Sequence, residues 1–172
     1  MLSRTLILID FQKEWTDKNS DYLVGDISEV INKTNKLIDY CRKENYKIIF
    51  TKHIEKGSED AFREKSENIE IIDGLDRRDS DVVIEKNKIS PFYKTRLEQE
   101  LKGANEVIVC GILTNLCVRS FIQDAYDRGL DIKVIKDCCV AFDKETQEFT
   151  FKDLKETREE IEFLDLNEFT KQ

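Results

Sequence analysis

Asp10, Lys86 and Cys117 are a carboxylate, an ammonium and a thiol, and each stands where an apolar run ends or an apolar helix face begins. Together they hold the parts of a nucleophilic acyl transfer. A thiol attacks as its thiolate, a form favoured by a neighbouring ammonium and by the amino end of a helix. A carboxylate within reach can accept the thiol proton. The expectation is a Cys117 pKa below its reference of roughly 8.5. Position alone leaves alternatives open. Lys52 and Lys88 also lie close to strand ends. A terminal Asp also serves turns, and a Cys before an apolar face also serves as a small buried hydrophobe.

The elements that would position these groups read as follows. Thr5–Ile9 is a continuous apolar run of the kind buried on both faces of a parallel sheet. Asp26 and Glu29 resemble a capping box, and Val30, Ile31, Thr34, Leu37, Ile38 and Cys41 recur at helical spacing. Lys47–Thr51 and Asp81–Glu85 read as further strands. Between them, Ile54 to Ser80 reads as a polar connection with one short helix around Ser58–Lys65. Ser90 and Pro91 look like a cap and first turn of a helix running towards Leu101, with Gly103 as its stop.

Glu106–Cys110 predicts a fourth strand, followed by a short turn over Gly111–Asn115. Val118, Phe121, Ile122 and Ala125 mark one face of a helix ending at Gly129. Asp131–Ile135, a helix over Thr146–Arg158 and a short strand at Ile161–Leu164 complete the pattern. Strands alternating with helices predict a Rossmann-like α/β fold: three α/β/α layers, a six-stranded mainly parallel sheet, one domain over residues 1–172. Ligands in such sheets bind beyond the carboxyl ends of the strands, where Asp10, Lys86 and the turn before Cys117 fall.

Composition narrows the function classes. With 28 basic and 36 acidic residues the chain carries a net charge of −8, and no basic stripe interleaves with aromatics. Such a surface repels phosphate backbones, which argues against nucleic acid. The apolar run nearest the start, Leu6–Ile9, is too short for a membrane span or a signal-peptide core, so a cytoplasmic location is expected. The five cysteines include no C-x-x-C pair, unlike a disulfide framework or a zinc knuckle. Cys138 and Cys139, being adjacent, are expected as buried thiols rather than a bridge.

Leu8-Ile-Asp-Phe-Gln12 with Trp15 resembles the opening motif of the isochorismatase-like hydrolase superfamily. Glu85-Lys-Asn-Lys-Ile-Ser-Pro-Phe92 is similar to its catalytic-lysine segment, with Pro91 in place of a small residue. Gly111-Ile-Leu-Thr-Asn-Leu-Cys-Val118, then Asp124-Ala125 and Gly129, resembles its nucleophile loop and helix, and Val134-Ile-Lys-Asp137 the strand that follows. The resemblance implies Asp10 as general base, Lys86 rather than Lys88 as electrostatic partner, and Cys117 as nucleophile. It also implies a cis peptide between Ile112 and Leu113 and an oxyanion hole formed by the amides of Leu113 and Cys117. Trp15, Phe92 and Ile112 become candidate substrate-pocket residues, and a homo-oligomer is expected.

Nicotinamidases of the superfamily add a metal held by an Asp-x-His pair and another His. Thr51-Lys52-His53 stands there instead, and His53 is the only histidine, so neither a metal nor a cofactor is expected. His53 is read as a packing or surface residue ahead of a pocket residue, and Arg119 as lying on the helix exterior. The function that follows is a metal-independent cysteine hydrolase cleaving an amide or other C–N bond of a small molecule through a thioester. A vinyl-ether hydrolase of the isochorismatase type and a non-catalytic binding domain are the alternatives.

Overall fold

The computed structural model describes residues 3–171. Six strands, β1 Ser3–Ile9, β2 Lys47–His53, β3 Val82–Lys86, β4 Ala104–Ile112, β5 Asp131–Val140 and β6 Glu162–Leu164, form one sheet in the order β3-β2-β1-β4-β5-β6. Every neighbouring pair is parallel. The helices are α1 Ser28–Lys43, α2 Leu97–Glu100, α3 Arg119–Asp127, α4 Lys144–Thr157 and α5 Leu166–Phe169. None among the described residues is long and apolar enough to cross a membrane.

Successive side chains of a strand point to opposite faces. Leu6, Ile7, Leu8 and Ile9 are all fully buried, so helices and loops must cover both faces of β1. Thr34, Leu37, Ile38 and Cys41 make the buried stripe of α1; Phe121, Ile122 and Ala125 make that of α3. Each large aliphatic side chain buried this way contributes about 1.5–3 kcal/mol.

The chain runs from β1 outward to β2 and β3, then returns to place β4 on the other side of β1. That reversal opens a crevice at the carboxyl ends of β1 and β4, the switch point of such sheets. Gly111 is the register partner of Ile9 there. Its φ is +151°, and a Cβ would stand 2.3 Å from the Ile9 carbonyl oxygen, so only glycine lets the two strand ends close up. The next peptide, Ile112–Leu113, is cis.

The six strands and the α1, α3 and α4 helices lie where the sequence pattern predicts them, with local corrections. Around Ser58–Lys65 there is no helix. Phe62 takes φ +56°, which breaks any helical run, and a bridge joins Glu55 to Arg63. The helix expected from Pro91 shrinks to Leu97–Glu100, because Lys94 adopts φ +52° after the first turn. Asp26 accepts a hydrogen bond from the Ser28 amide at the start of α1, in place of a capping box with Glu29. β5 runs on to Val140 through an irregularity that shifts its pairing with β4, and α5 follows with a capping box made by Asp165 and Glu168.

Candidate active site

Asp10 leaves β1 with φ +49°, which turns its side chain inward. Its amide donates to Thr51 Oγ1 (3.1 Å), and that hydroxyl donates back to Asp10 Oδ1 (2.5 Å). The indole of Trp15 donates to the Asp10 carbonyl at 2.8 Å. The carboxylate is fully buried and has one fixed orientation.

Lys86 is the last residue of β3 and the register partner of His53 on β2. Thr51, two residues before His53, shares that face of the sheet. Lys52 points the opposite way and pairs with Glu70 at 2.9 Å. Strand alternation therefore separates the rival lysines. Lys88 lies beyond the strand and offers its carbonyl oxygen, 3.2 Å from Lys86 Nζ.

Lys86 Nζ lies 2.7 Å from Asp10 Oδ2, with both side chains fully buried, and 3.3 Å from Cys117 Sγ. Asp10 Oδ2 has the ammonium as ion-pair partner but no hydrogen bond of good angle, which leaves a lone pair unused. Cys117 sits in a wide π-helical turn, Thr114–Val118, that winds directly into α3. Leu113, just before it, accepts from the amides of Leu116 and Val118.

Burial pushes the Cys117 thiol up to about 12; the Asp10 carboxylate adds to the rise and Lys86 opposes it. The sequence expectation of a lowered pKa is thus reversed. A helix end and an ammonium do not outweigh desolvation and a facing carboxylate. Burial also pushes the Lys86 ammonium down, but Asp10 and Cys117 more than offset it, and its pKa is raised. The resting arrangement is a neutral thiol beside an ammonium–carboxylate pair.

His53 is a second correction, because it faces the site. Its Nδ1 is 3.3 Å from Lys86 Nζ, its Nε2 is 2.7 Å from Glu55 Oε1, and its ring meets Phe62 edge-on at 5.5 Å. An ammonium can only donate, so Nδ1 is the acceptor and the ring proton sits on Nε2, towards Glu55.

These groups open onto a cleft of about 550 Å³ whose walls include Asp10, Trp15, His53, Phe62, Leu116 and Cys117. Apolar walls with a few fixed polar groups suit a small organic ligand. Trp15 is one of the residues that line this cleft. Phe92 and Ile112 do not line the cleft. Phe92 stacks on Phe121 at 5.6 Å under the Arg128 guanidinium, and Ile112 is fully buried. Arg119 is spent on an ion pair with Asp153.

Two supports escaped the sequence reading. Gln12, fully buried, donates to the carbonyls of His53 and Ile69 and accepts from the His53 amide, tying β1, β2 and the 54–80 connection together. Glu14, also buried, accepts from Ser20 at 2.6 Å and from the Phe62 amide at 3.4 Å. Both stand between Phe11 and Trp15 with Lys13 separating them, so spacing carries no signal that they are buried.

Among the described residues no group of three or more His, Cys, Asp or Glu side chains is placed to share a metal ion. Where an Asp-x-His pair would stand, Thr51 is committed to Asp10 and both nitrogens of His53 are engaged. The donor set does not fit a metal.

Residues 4–162 match the model of the isochorismatase domain. Nicotinamidase 3 of Arabidopsis thaliana is 29% identical over 166 residues, covering 87% of this chain and 79% of its own. The crystal structure of an isochorismatase family protein from Desulfovibrio vulgaris superposes with a TM-score of 0.89 at 19% identity, covering 99% and 98% of the two chains. The zinc complex of the pyrazinamidase of Pyrococcus horikoshii gives 0.83 at 20% identity, covering 95% and 99%. With the family model spanning nearly the whole sheet, the chain belongs to the isochorismatase family of hydrolases.

Proposed function

We propose that the protein is a metal-independent cysteine amidohydrolase that cleaves an amide or other C–N bond of a small molecule. The observation that carries this reading is the position of Lys86 Nζ, 2.7 Å from a carboxylate oxygen of Asp10 and 3.3 Å from Cys117 Sγ, where Asp10 and Cys117 both line the cleft. The similarity to a nicotinamidase supports the C–N bond as the target.

In the first step Asp10 takes the thiol proton as Cys117 Sγ attacks the carbonyl carbon. The neutral resting thiol suits this order, because the proton leaves only as the sulfur–carbon bond forms. Lys86 stays protonated and offsets the charge on sulfur. The amides of Leu113 and Cys117 donate to the developing oxyanion. Asp10 then returns its proton to the leaving amine as the C–N bond breaks, leaving a thioester on Cys117. Water, losing a proton to Asp10, attacks the thioester carbon, and the acid leaves as the thiol is restored.

The test is a panel of small amides, ureido compounds and lactams, with ammonia or amine release measured for wild type and Cys117→Ala. The expected result is release by wild type and none by the folded variant. Pyruvate released from a vinyl ether in place of ammonia would move the protein to the other branch, and an active Cys117→Ala would remove the thioester mechanism.

A further inference from the structure

An ammonium has three hydrogens, and Lys86 Nζ has three hydrogen-bond acceptors, Lys88 O at 3.2 Å, His53 Nδ1 at 3.3 Å and Cys117 Sγ at 3.3 Å, with Asp10 Oδ2 as a fourth group, its ion-pair partner at 2.7 Å. They come from the end of β1, from β2, from the segment after β3 and from the turn before α3. Two of the four, the Lys88 carbonyl and the His53 ring nitrogen, take no part in the proton transfer. The other two exchange strengths during it. While the thiol is protonated, Asp10 is the anion paired with the ammonium and sulfur a weak acceptor. Once the proton has crossed, sulfur is the anion and Asp10 the neutral acid.

We infer that His53, held by Glu55, and the Lys88 carbonyl form a fixed two-point mount for the Lys86 ammonium, which keeps its third N–H on Cys117 Sγ to meet the thiolate as the thiol proton passes to Asp10. His53 and Glu55 are positioning residues in this scheme. The ammonium keeps three acceptors before and after the transfer, so it need not move from its place. The proposal rests on the reading of Asp10, Lys86 and Cys117 given above and adds the device that holds the cation between its two partners.

The mount depends on the tautomer of His53. Its Nδ1 must present a bare lone pair to the ammonium, which requires the proton on Nε2. Glu55 Oε1, 2.7 Å away, accepts that proton's hydrogen bond and so fixes the tautomer. Without an acceptor at that point the ring is free to carry its proton on Nδ1 and aim it at a cation 3.3 Å away. The ammonium is then driven from sulfur. The Phe62 ring, edge-on to His53 at 5.5 Å, closes the remaining side with an apolar group that holds no competing acceptor.

Alkylation of Cys117 by iodoacetamide across pH 8–10, followed by mass spectrometry of the peptide that carries it, reads the mount without turnover. The other four cysteines are buried and stay protected while the protein is folded. Glu55→Leu and His53→Gln are expected to slow Cys117 alkylation roughly tenfold at fixed pH, a rise of about one pKa unit. Glu55→Gln keeps an amide oxygen for the Nε2 proton and is expected to follow the wild-type profile. His53→Asn places an amide oxygen near the Nδ1 position and is expected to retain the profile as well. In that background Glu55→Leu should have no further effect.

Thermal melts establish that each variant is folded. A wild-type alkylation profile in both Glu55→Leu and His53→Gln overturns the mount, as does equal slowing by Glu55→Leu and Glu55→Gln. These outcomes are separate from those for the catalytic reading. If Cys117→Ala retained turnover, that reading would fail whatever the alkylation profiles showed. If turnover needed Cys117 while the profiles did not respond, only the mount would fail.

Discussion

Thr51 Oγ1 is bonded twice to Asp10: it accepts from the backbone amide and donates to carboxylate oxygen Oδ1. One hydroxyl thereby fixes both where β1 ends and which way the carboxylate faces. Thr51→Val keeps the shape and removes both bonds, stranding a buried amide and a buried carboxylate oxygen. The expected cost is about 1–3 kcal/mol of stability, read from a denaturant midpoint, with a fall in kcat. Thr51→Ser restores the hydroxyl and should recover most of both. Equal stability for the Val and Ser variants would show that the hydroxyl orients nothing.

Asp10→Asn should move two properties of Cys117 in opposite directions. Burial raises the thiol most, Asp10 raises it further, and Lys86 lowers it. Removing the carboxylate leaves Lys86 as the chief charge beside the sulfur, so the thiol pKa falls and alkylation at pH 8 speeds up. Turnover meanwhile loses its proton acceptor, a loss of about 10²–10⁴-fold. Parallel alkylation and activity assays check this. Slower alkylation together with lost turnover would mean that Asp10 favours the thiolate, contrary to the geometry.

The strand ends were legible because parallel strands buried on both faces read as unbroken apolar runs, and Thr5–Ile9 stops sharply at Asp10. The three charged or nucleophilic residues at those ends could therefore be placed from pattern and resemblance alone. What could not be read was anything set by contact across the sheet. That His53 turns to the site follows from its register opposite Lys86, and register is a tertiary fact. Phe92 is an apolar candidate for a pocket wall, yet a left-handed turn at Lys94 ends the expected helix and the Phe92 ring packs onto Phe121. The sign of the Cys117 shift depended on how deeply the sulfur is buried, which no spacing encodes.

Alkaline pH should unfold the protein early. Burial pushes the Cys117 thiol up to about 12 in the folded protein, and it also raises Cys41, Cys110 and Cys139. A group whose folded pKa exceeds its unfolded one holds the proton more tightly when folded. Its contribution is complete below the unfolded pKa and disappears as pH climbs towards the folded one. Tyr46, raised by burial, and Lys86, raised by Asp10 and Cys117 against the opposing effect of its burial, act in the same direction. Urea midpoints should hold steady between pH 7 and 8, then fall from about pH 9 upward. Cys117→Ser should flatten that fall. A midpoint that climbs above pH 9 would contradict the burial of these thiols.

Lys86→Met separates the structural weight of the ion pair from its chemistry. Both partners are fully buried at 2.7 Å, so removing the cation alone leaves an uncompensated carboxylate in the interior. Breaking such a pair from one side costs about 3–5 kcal/mol. Lys86→Met combined with Asp10→Asn leaves no charge to compensate, and the double variant should be more stable than Lys86→Met by about 2 kcal/mol or more. Neither variant should turn over substrate, so the comparison rests on chemical denaturation at pH 7. Additive losses in the double variant would mean that the two side chains stabilise the fold independently. Recovery of stability without recovery of activity would show a buried charge pair kept for its chemistry at the expense of the fold.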